Sequence, residues 1–444
     1  MTLPASLQSL QDNPYQGYAY SYPHKTAYRS FTEPVPLQPL WEKENRDSLF
    51  FYLHLPFCEM RCGFCNLFTT THPTSNLVGD YLNGLKRQLE VTADWLGEHR
   101  FAQAAFGGGT PSFLSIPELE QVFTTIKNTL GPMEKGIPTS FETSPATVDS
   151  EKLAFLKESG VTRLSIGVQS FVLEETKKLG RPQHSDTLAK ALTQIRDCQF
   201  PVMNIDLIYG AEGQTESTWL HSLKQALLYN PEELYLYPLY VRPLTGLGKR
   251  DRAPSDNRQN LYRKGRDFLL ENGYQQISMR LFRRSDSPTA QGEGPVYCCQ
   301  EDGMIGFGSG ARSYTQDVHY SSEYAVGRKG ILDIIKDFNT SSRADFAHAH
   351  YGCHVSPSEQ KRRFLIKSLL RHEGLDFSEY NQTFPISPEE EFQECFELLL
   401  SANWAESTAQ GIALTTEGMA YSDAIGPWLF SDIIKNQMED FELV

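Results

Sequence analysis

The stretch LHLPFCEMRCGFCNLFTT, residues 53–70, places three of the chain's eight cysteines within eight positions. Cys58, Cys62 and Cys65 follow the spacing C-x3-C-x2-C, with no fourth cysteine beside them. Random placement would produce that spacing on the order of a few times in a thousand such chains. The stretch is entered through FFYLHL, an aromatic and aliphatic run that reads as a buried strand. The cysteines therefore begin where a strand ends.

Outward from that strand, short apolar runs alternate with longer amphipathic stretches from residue 50 to about 240. The runs are LFFYLHL, AQAAFGG, TSFETS, RLSIGVQ, VMNIDLIYG and ELYLYPLY. Helical patterns such as VGDYLNGLKRQLEVTADWLGE and SDTLAKALTQIRDC separate them. Strand and helix recurring every ~25–40 residues indicate a parallel βα array. Six strands suit an α/β fold with an incomplete parallel (β/α)6 TIM-like barrel, and on such scaffolds the C-terminal strand ends carry the chemistry.

Four regions are expected. Residues 1–49, rich in Pro and Tyr, form an N-terminal wrapping segment, and 50–240 form the core. Residues 241–354 extend the barrel and line the substrate cavity, with a helix near RQNLYRKGRDFLLENG. Residues 355–444, from PSEQKRRFLIKSLLRHEG to GIALTTEGMAYSDAIGPWLFSDII, form a small C-terminal helical, winged-helix-like domain. HAHYGCH, residues 348–354, reads as a loop or helix surface.

A chain of 444 residues can bury a substantial core without disulfides. Its 41 Lys and Arg against 55 Asp and Glu give a net charge of −14. That balance argues against a nucleic-acid partner, so any anion site must be a local basic pocket. The N-terminus lacks a signal-peptide pattern, and no run of about 18 apolar residues occurs, so a cytoplasmic protein with no membrane span is expected. In that reducing compartment, clustered cysteines read as metal ligands or catalytic groups.

Zinc usually takes four ligands, commonly from paired C-x2-C spacings, and no second pair is near. Iron–sulfur cubes are held by cysteine thiolates, ordinarily four. Three on one loop would bind three irons and leave the fourth open. YLHLPFCEMRCGFC resembles the cluster loop of radical S-adenosylmethionine (SAM) enzymes, and its Tyr-x-His-x-Pro-Phe-Cys lead-in resembles the oxygen-independent coproporphyrinogen III oxidase branch. The resemblance implies a [4Fe-4S] cluster on Cys58, Cys62 and Cys65, with SAM chelated at the open iron. It implies reductive cleavage of SAM to methionine and a 5′-deoxyadenosyl radical, one SAM or two per chain, and an external electron donor such as flavodoxin or ferredoxin.

The same resemblance assigns roles at successive strand ends. In GGGTPSFLS, Gly107–Ser115, the segment Gly108, Gly109 and Thr110 would meet the SAM amino group; glycines there let backbone approach a ligand closely. Glu142 in SFETSPATV would contact the ribose or amino region, Gln169 in RLSIGVQSF would line the site, and Asp206 in NIDLIYGAEG would accept from a ribose hydroxyl. Arg181 in LGRPQHSD would meet the SAM carboxylate. Tyr52 and His54, two apart on one strand, share a face, and the family places Tyr52 near SAM. Each residue alone reads equally as a cap, a surface ion pair or a core group; their ordered arrival at strand ends favours a site. Phe57, Phe64 and Phe68 read as shielding for the cluster.

The resemblance has limits. The oxidase branch continues with a further cysteine in a C-x-C arrangement, where this chain has Asn66 and Leu67 after Cys65. The related haem chaperones carry a His-Asn-x-x-Tyr-Trp stretch, where this chain has GPVYCCQEDGMIGFGSGARSY. Vicinal Cys298 and Cys299 are either packed thiols or catalytic groups lining the cavity, and Cys198, Cys353 and Cys395 read as packing residues. Arg242, Arg280 and Arg312 are candidates to bind a carboxylated small-molecule substrate bidentately, with structural ion pairs as the alternative. The expected reaction is that of a coproporphyrinogen oxidase-like radical SAM oxidoreductase on a tetrapyrrole or other carboxylated molecule. Two-SAM radical methyl transfer and non-catalytic haem binding are the alternatives.

Overall fold

Six parallel strands stand side by side in chain order in the computed structural model, which describes residues 5–19, 21–133, 136–250, 257–287 and 303–441. An N-terminal strand, β1 (Arg29–Pro36), precedes them. The six are β2 (Leu49–Leu55), β3 (Phe101–Gly108), β4 (Thr139–Thr143), β5 (Arg163–Gln169), β6 (Val202–Tyr209) and β7 (Glu233–Pro238). One or two helices lie between each consecutive pair, from Ser75–Leu96 after β2 to Glu216–Leu227 before β7. Crossover helices bury the strands, so they read as near-continuous apolar runs rather than alternating ones.

The sheet continues beyond the six at both sides. Short antiparallel strands β8 (Tyr274–Gln276) and β9 (Leu281–Arg284) add to β7. On the other side β10 (Met304–Phe307) pairs parallel to β2, with Phe307 opposite Leu53. Then follow β11 (Arg312–Tyr314), β12 (Val318–Ser321), β13 (His348–His354) and β1, all antiparallel. The order is β1-β13-β12-β11-β10-β2-β3-β4-β5-β6-β7-β9-β8. Among the described residues no pairing joins the two edges, so the array is open.

One expectation is corrected here. HAHYGCH is the strand β13, not a loop or helix surface. Ala349 and Cys353 on it are buried while His350 and His354 are exposed: alternate side chains point to opposite faces of the sheet, one packed and one open to solvent, and the polar residues mask the run's strand character.

The C-terminal part is mainly helical. It opens with helix Pro357–Leu369 and carries a three-stranded antiparallel sheet of β14 (Leu375–Asp376), β15 (Ala405–Ser407) and β16 (Gly411–Leu414), with β16 in the middle. It meets the barrel through a buried ion pair: Arg280 Nη2 lies 2.5 Å from Asp423 Oδ2, and both side chains are at most 4% exposed. Tyr240 also donates to Asp423, at 2.6 Å.

The cysteine loop is pinned mainly through backbone. Gly109 N–H donates to Leu55 O at 2.8 Å and Thr110 N–H to Phe57 O at 2.8 Å, while Phe57–Cys58 pairs with Thr70–Thr71. Farther along, Gly63 donates to Leu179 O at 3.0 Å and accepts from Leu247 N–H at 2.7 Å. Two glycines make these approaches possible: a Cβ at Gly109 would lie 2.5 Å from Phe57 O, and one at Gly63 would lie 2.8 Å from Leu179 O.

Gly109→Ala must displace the backbone just before Cys58; it should cost about 1–3 kcal/mol and lower the iron retained after reconstitution, measured by iron content and chemical denaturation. Asp423→Ala leaves Arg280 buried without its carboxylate and should cost about 3–5 kcal/mol. The double change Asp423→Leu with Arg280→Met should recover part of that loss in the same denaturation experiment.

Candidate active site

The loop after β2 holds Cys58 and Cys62 buried and Cys65 half-buried, and all three are free thiols. The hydroxyls of Thr69 and Thr110 each lie 3.2 Å from Cys58 Sγ. Arg181 Nη1 donates to Cys62 Sγ at 3.0 Å, and its Nη2 donates to Gly167 O at 3.0 Å. Hydrogen-bond donors and a guanidinium around sulfur favour thiolate, the form that binds metal. Burial works the other way in the metal-free chain, pushing Cys58 up to about 11 and Cys65 up to about 12.

Among the described residues no three His, Cys, Asp or Glu side chains come close enough to share one metal ion. That geometry is unlike a mononuclear zinc site. A cube, in which each thiolate meets a different iron, does not require such convergence. Three free cysteines on one loop, with two hydroxyls at Cys58 and a guanidinium at Cys62, are a donor set that fits a thiolate-held cluster.

Beside the loop, Tyr52 and His54 share one face of β2. His54 Nε2 donates to Phe68 O at 2.9 Å, which leaves Nδ1 to accept from Tyr52 OH at 3.3 Å. Burial first, with Arg312 and Lys25 adding to it, lowers the imidazole to about 4. His54 is therefore neutral and structural, and it orients Tyr52. Phe68 and Phe57 are buried, and Phe64 packs beside Leu179, Ile208 and Leu247.

The glycine-rich segment after β3 meets protein rather than open space. A Cβ at Gly107 would lie 3.1 Å from the Glu142 carboxylate, and one at Gly108, with φ +116°, would lie 2.8 Å from His54 Nε2. Gly107 thus leaves room for the Glu142 carboxylate of β4, and Gly108 for the His54 imidazole of β2. Glu142 itself is accessible to solvent yet enclosed by the barrel mouth. Desolvation, then the nearby Asp206, raises its carboxyl to about 7, against a donating Gly108 N–H. Asp206 is raised by burial and held by Asn204 Nδ2 at 2.7 Å and Ser165 Oγ at 3.1 Å.

Gln169 closes β5 in the left-handed region at φ +67°, where the pairing with β6 slips register. A buried non-glycine residue in that conformation stores strain, a feature found at functional sites. The structure thus brings Tyr52, Gly108, Gly109, Thr110, Glu142, Gln169, Arg181 and Asp206 to one end of the parallel strands with the three cysteines. It does not bring Arg280 there as a free cation, because Asp423 neutralises it. Cys298 and Cys299 lie outside the described residues.

Other groups at this mouth are not singled out by the sequence. Tyr235 and Tyr237 on β7 stack with centroids 5.7 Å apart, and Asp206 and Glu142 act on Tyr237. Their two-residue spacing in ELYLYPLY is the available signal. Tyr18 reaches in from the N-terminal segment, with the Arg280 guanidinium 3.6 Å from its ring centre.

Comparison with known proteins agrees with this geometry. The Radical SAM superfamily pattern matches residues 52–226. The chain is 27% identical to the oxygen-independent coproporphyrinogen III oxidase of Synechocystis over 86% of this chain and 84% of that one. It is 26% identical to the oxidase of Escherichia coli K12 over 91% of each. It is 30% identical to the haem chaperone HemW of Bacillus subtilis over 59% of this chain and 70% of that one. The solved structure of the Escherichia coli coproporphyrinogen III oxidase shares its fold, with a TM-score of 0.77 at 23% identity over 95% of this chain and 98% of that one. With the cysteine loop and the strand-end residues in place, the chain belongs to the radical SAM superfamily, whose cofactors are a [4Fe-4S] cluster and SAM.

Proposed function

We propose that this protein is a cytoplasmic radical SAM oxidoreductase that acts on a tetrapyrrole or other carboxylated small molecule, in the manner of the coproporphyrinogen III oxidases it resembles. The observation that carries the reading is the loop of three free cysteines at the strand ends, with Arg181 bonded to Cys62 and Glu142 and Asp206 nearby. When bound, the cluster and SAM would supply a carbon radical able to abstract hydrogen from substrate.

In this reading Cys58, Cys62 and Cys65 hold three irons, while Gly108, Gly109, Thr110, Glu142, Gln169 and Asp206 hold SAM. Glu142 suits the SAM ammonium because it deprotonates near neutrality, and Asp206 suits a ribose hydroxyl because its carboxylate is already oriented by Asn204 and Ser165. Arg181 offers its remaining N–H groups to the SAM carboxylate. Tyr52, set by His54, faces the reaction. Phe57 and Phe68 exclude water from the sulfurs. An external donor, of the flavodoxin or ferredoxin kind, supplies the electron.

A second reading rests on Leu67, which stands where the oxidase branch carries an additional cysteine. That exchange counts against true coproporphyrinogen oxidation and leaves two-SAM methyl transfer of the same branch as the alternative, and product mass separates the two: loss of carbon dioxide against gain of a methyl group. The likeness to HemW supports haem binding without turnover; an ultraviolet-visible haem titration showing no complex removes it.

Reconstitution with iron and sulfide, reduction, and chromatography for 5′-deoxyadenosine test the main reading. Wild type should form it and Cys62→Ala should not; no product from well-reconstituted wild type would overturn the reading. Glu142 provides a separate check. Its folded-state value lies above that of an unfolded glutamate, so the metal-free fold binds the extra proton and loses stability as pH rises from about 4.5 to about 7. Glu142→Gln should therefore raise the thermal midpoint at pH 8 but hardly at pH 5, while weakening SAM binding. An equal shift at both pH values would contradict that placement.

A further inference from the structure

The three cysteines of the loop have unequal surroundings. Two hydroxyls, Thr69 Oγ1 and Thr110 Oγ1, lie 3.2 Å from Cys58 Sγ and arrive on separate segments. Cys62 Sγ accepts from the Arg181 guanidinium at 3.0 Å. At Cys65 the hydrogen bond comes from backbone at Leu67, and among the described residues no side chain donates to its sulfur. Hydroxyl donors are therefore concentrated on the first sulfur of the loop.

The two hydroxyls differ in what else claims them. Thr110 belongs to the segment proposed above to hold SAM. Thr69 does not: it precedes the short strand Thr70–Thr71, which pairs with Phe57–Cys58. It is 1% exposed, so bulk water does not compete for its hydroxyl. Branching at Cβ restricts the side-chain rotamer, which holds Oγ1 in place and leaves only the O–H bond free to turn.

That O–H bond has two acceptors within reach. Thr69 Oγ1 lies 3.1 Å from Pro56 O and 3.2 Å from Cys58 Sγ, and a hydroxyl has one proton to give. Pro56 O already accepts from Thr70 N–H at 2.7 Å. Turning the hydroxyl to sulfur therefore leaves no buried carbonyl unpaired. Charge on the sulfur decides the direction, because hydrogen bonds to ionised acceptors are about twice as strong as those between neutral groups. A metal-binding sulfur is a thiolate, so it draws the proton away from the carbonyl.

We propose that Thr69 is a positioning residue that tunes the reduction potential of the cluster, its hydroxyl turning from Pro56 O to Cys58 Sγ and stabilising the negative charge that reduction adds. The inference rests on the cluster proposed above and adds a residue outside both the cysteine motif and the SAM-binding set. Hydrogen bonds to the sulfurs are one of the controls on cluster potential, and the partners of metal ligands are a general means of adjusting a site. One electron from the external donor enters the cluster, no bond breaks, and the Thr69 proton stays on its oxygen. The added charge strengthens the O–H to sulfur bond, so losing the hydroxyl makes reduction harder.

The test is a redox titration of the full, reconstituted chain, followed by electron paramagnetic resonance of the reduced cluster. Thr69→Val keeps the side-chain shape without the hydroxyl. It should shift the reduction equilibrium about tenfold towards the oxidised form, or about 59 mV for one electron. Thr69→Ala, a second chain without the hydroxyl, should shift alike, and Thr69→Ser should titrate as wild type. All three should bind SAM with wild-type affinity, whereas Thr110→Val should lower the potential and weaken SAM binding as well. Wild-type midpoints in Thr69→Val and Thr69→Ala, or a Thr69→Ser midpoint displaced as far as theirs, would overturn the inference and leave the radical SAM reading standing. Failure of both hydroxyl-free chains to load iron would assign the hydroxyl to folding or assembly and also overturn the tuning. A shifted potential in a chain whose wild type cleaves no SAM would uphold the tuning and sink the catalytic reading. Wild type that assembles no four-iron cluster would overturn both.

Discussion

The structure depends on how the backbone of Pro56–Cys58 is clamped between two neighbours. Phe57 O accepts from Thr110 N–H, Pro56 O accepts from Thr70 N–H, and Gly109 passes so close to Phe57 that no side chain fits. This clamp turns the chain out of β2 at one defined point and delivers Cys58 Sγ to two hydroxyls. Gly63 then locks the far side of the loop to Leu179 and Leu247. The segment that carries Leu179 also delivers Arg181 to Cys62. One loop, fixed at both ends by main-chain bonds, therefore sets the positions of thiol, guanidinium and glycine-rich turn together.

The site holds two groups whose environment costs stability and suits binding. Glu142 is raised towards neutrality and Gln169 has a left-handed backbone. Unfavourable placements of this kind persist where surrounding packing over-determines them. Here the parallel strands and the buried Arg163–Glu233–Arg283 cluster, with contacts of 2.8 and 2.9 Å, supply that rigidity.

The six barrel strands are legible in the sequence because buried parallel strands appear as continuous apolar runs, and the cysteine spacing is plain from the residues alone. The strands β8 to β12 are not, since they are three or four residues long and lie among glycine-containing loops. β13 is hidden because histidines occupy its outward positions. Arg280 looks identical to Arg242 and Arg312 in sequence; only the fold shows that Asp423, 143 residues away, neutralises it. Thr69 carries no motif at all, and its relevance arises from the pairing of Thr70–Thr71 with Phe57–Cys58.

The proposed chemistry would rest on Cys58, Cys62 and Cys65 holding a four-iron cluster that leaves one iron open to SAM. Electron paramagnetic resonance of the reduced, reconstituted protein with and without SAM tests this most directly. The expected result is a [4Fe-4S]⁺ signal whose shape changes when SAM binds, with the change lost in Arg181→Ala or Glu142→Ala while the cluster remains. A signal indifferent to SAM, from protein with full iron and sulfide content, would contradict it.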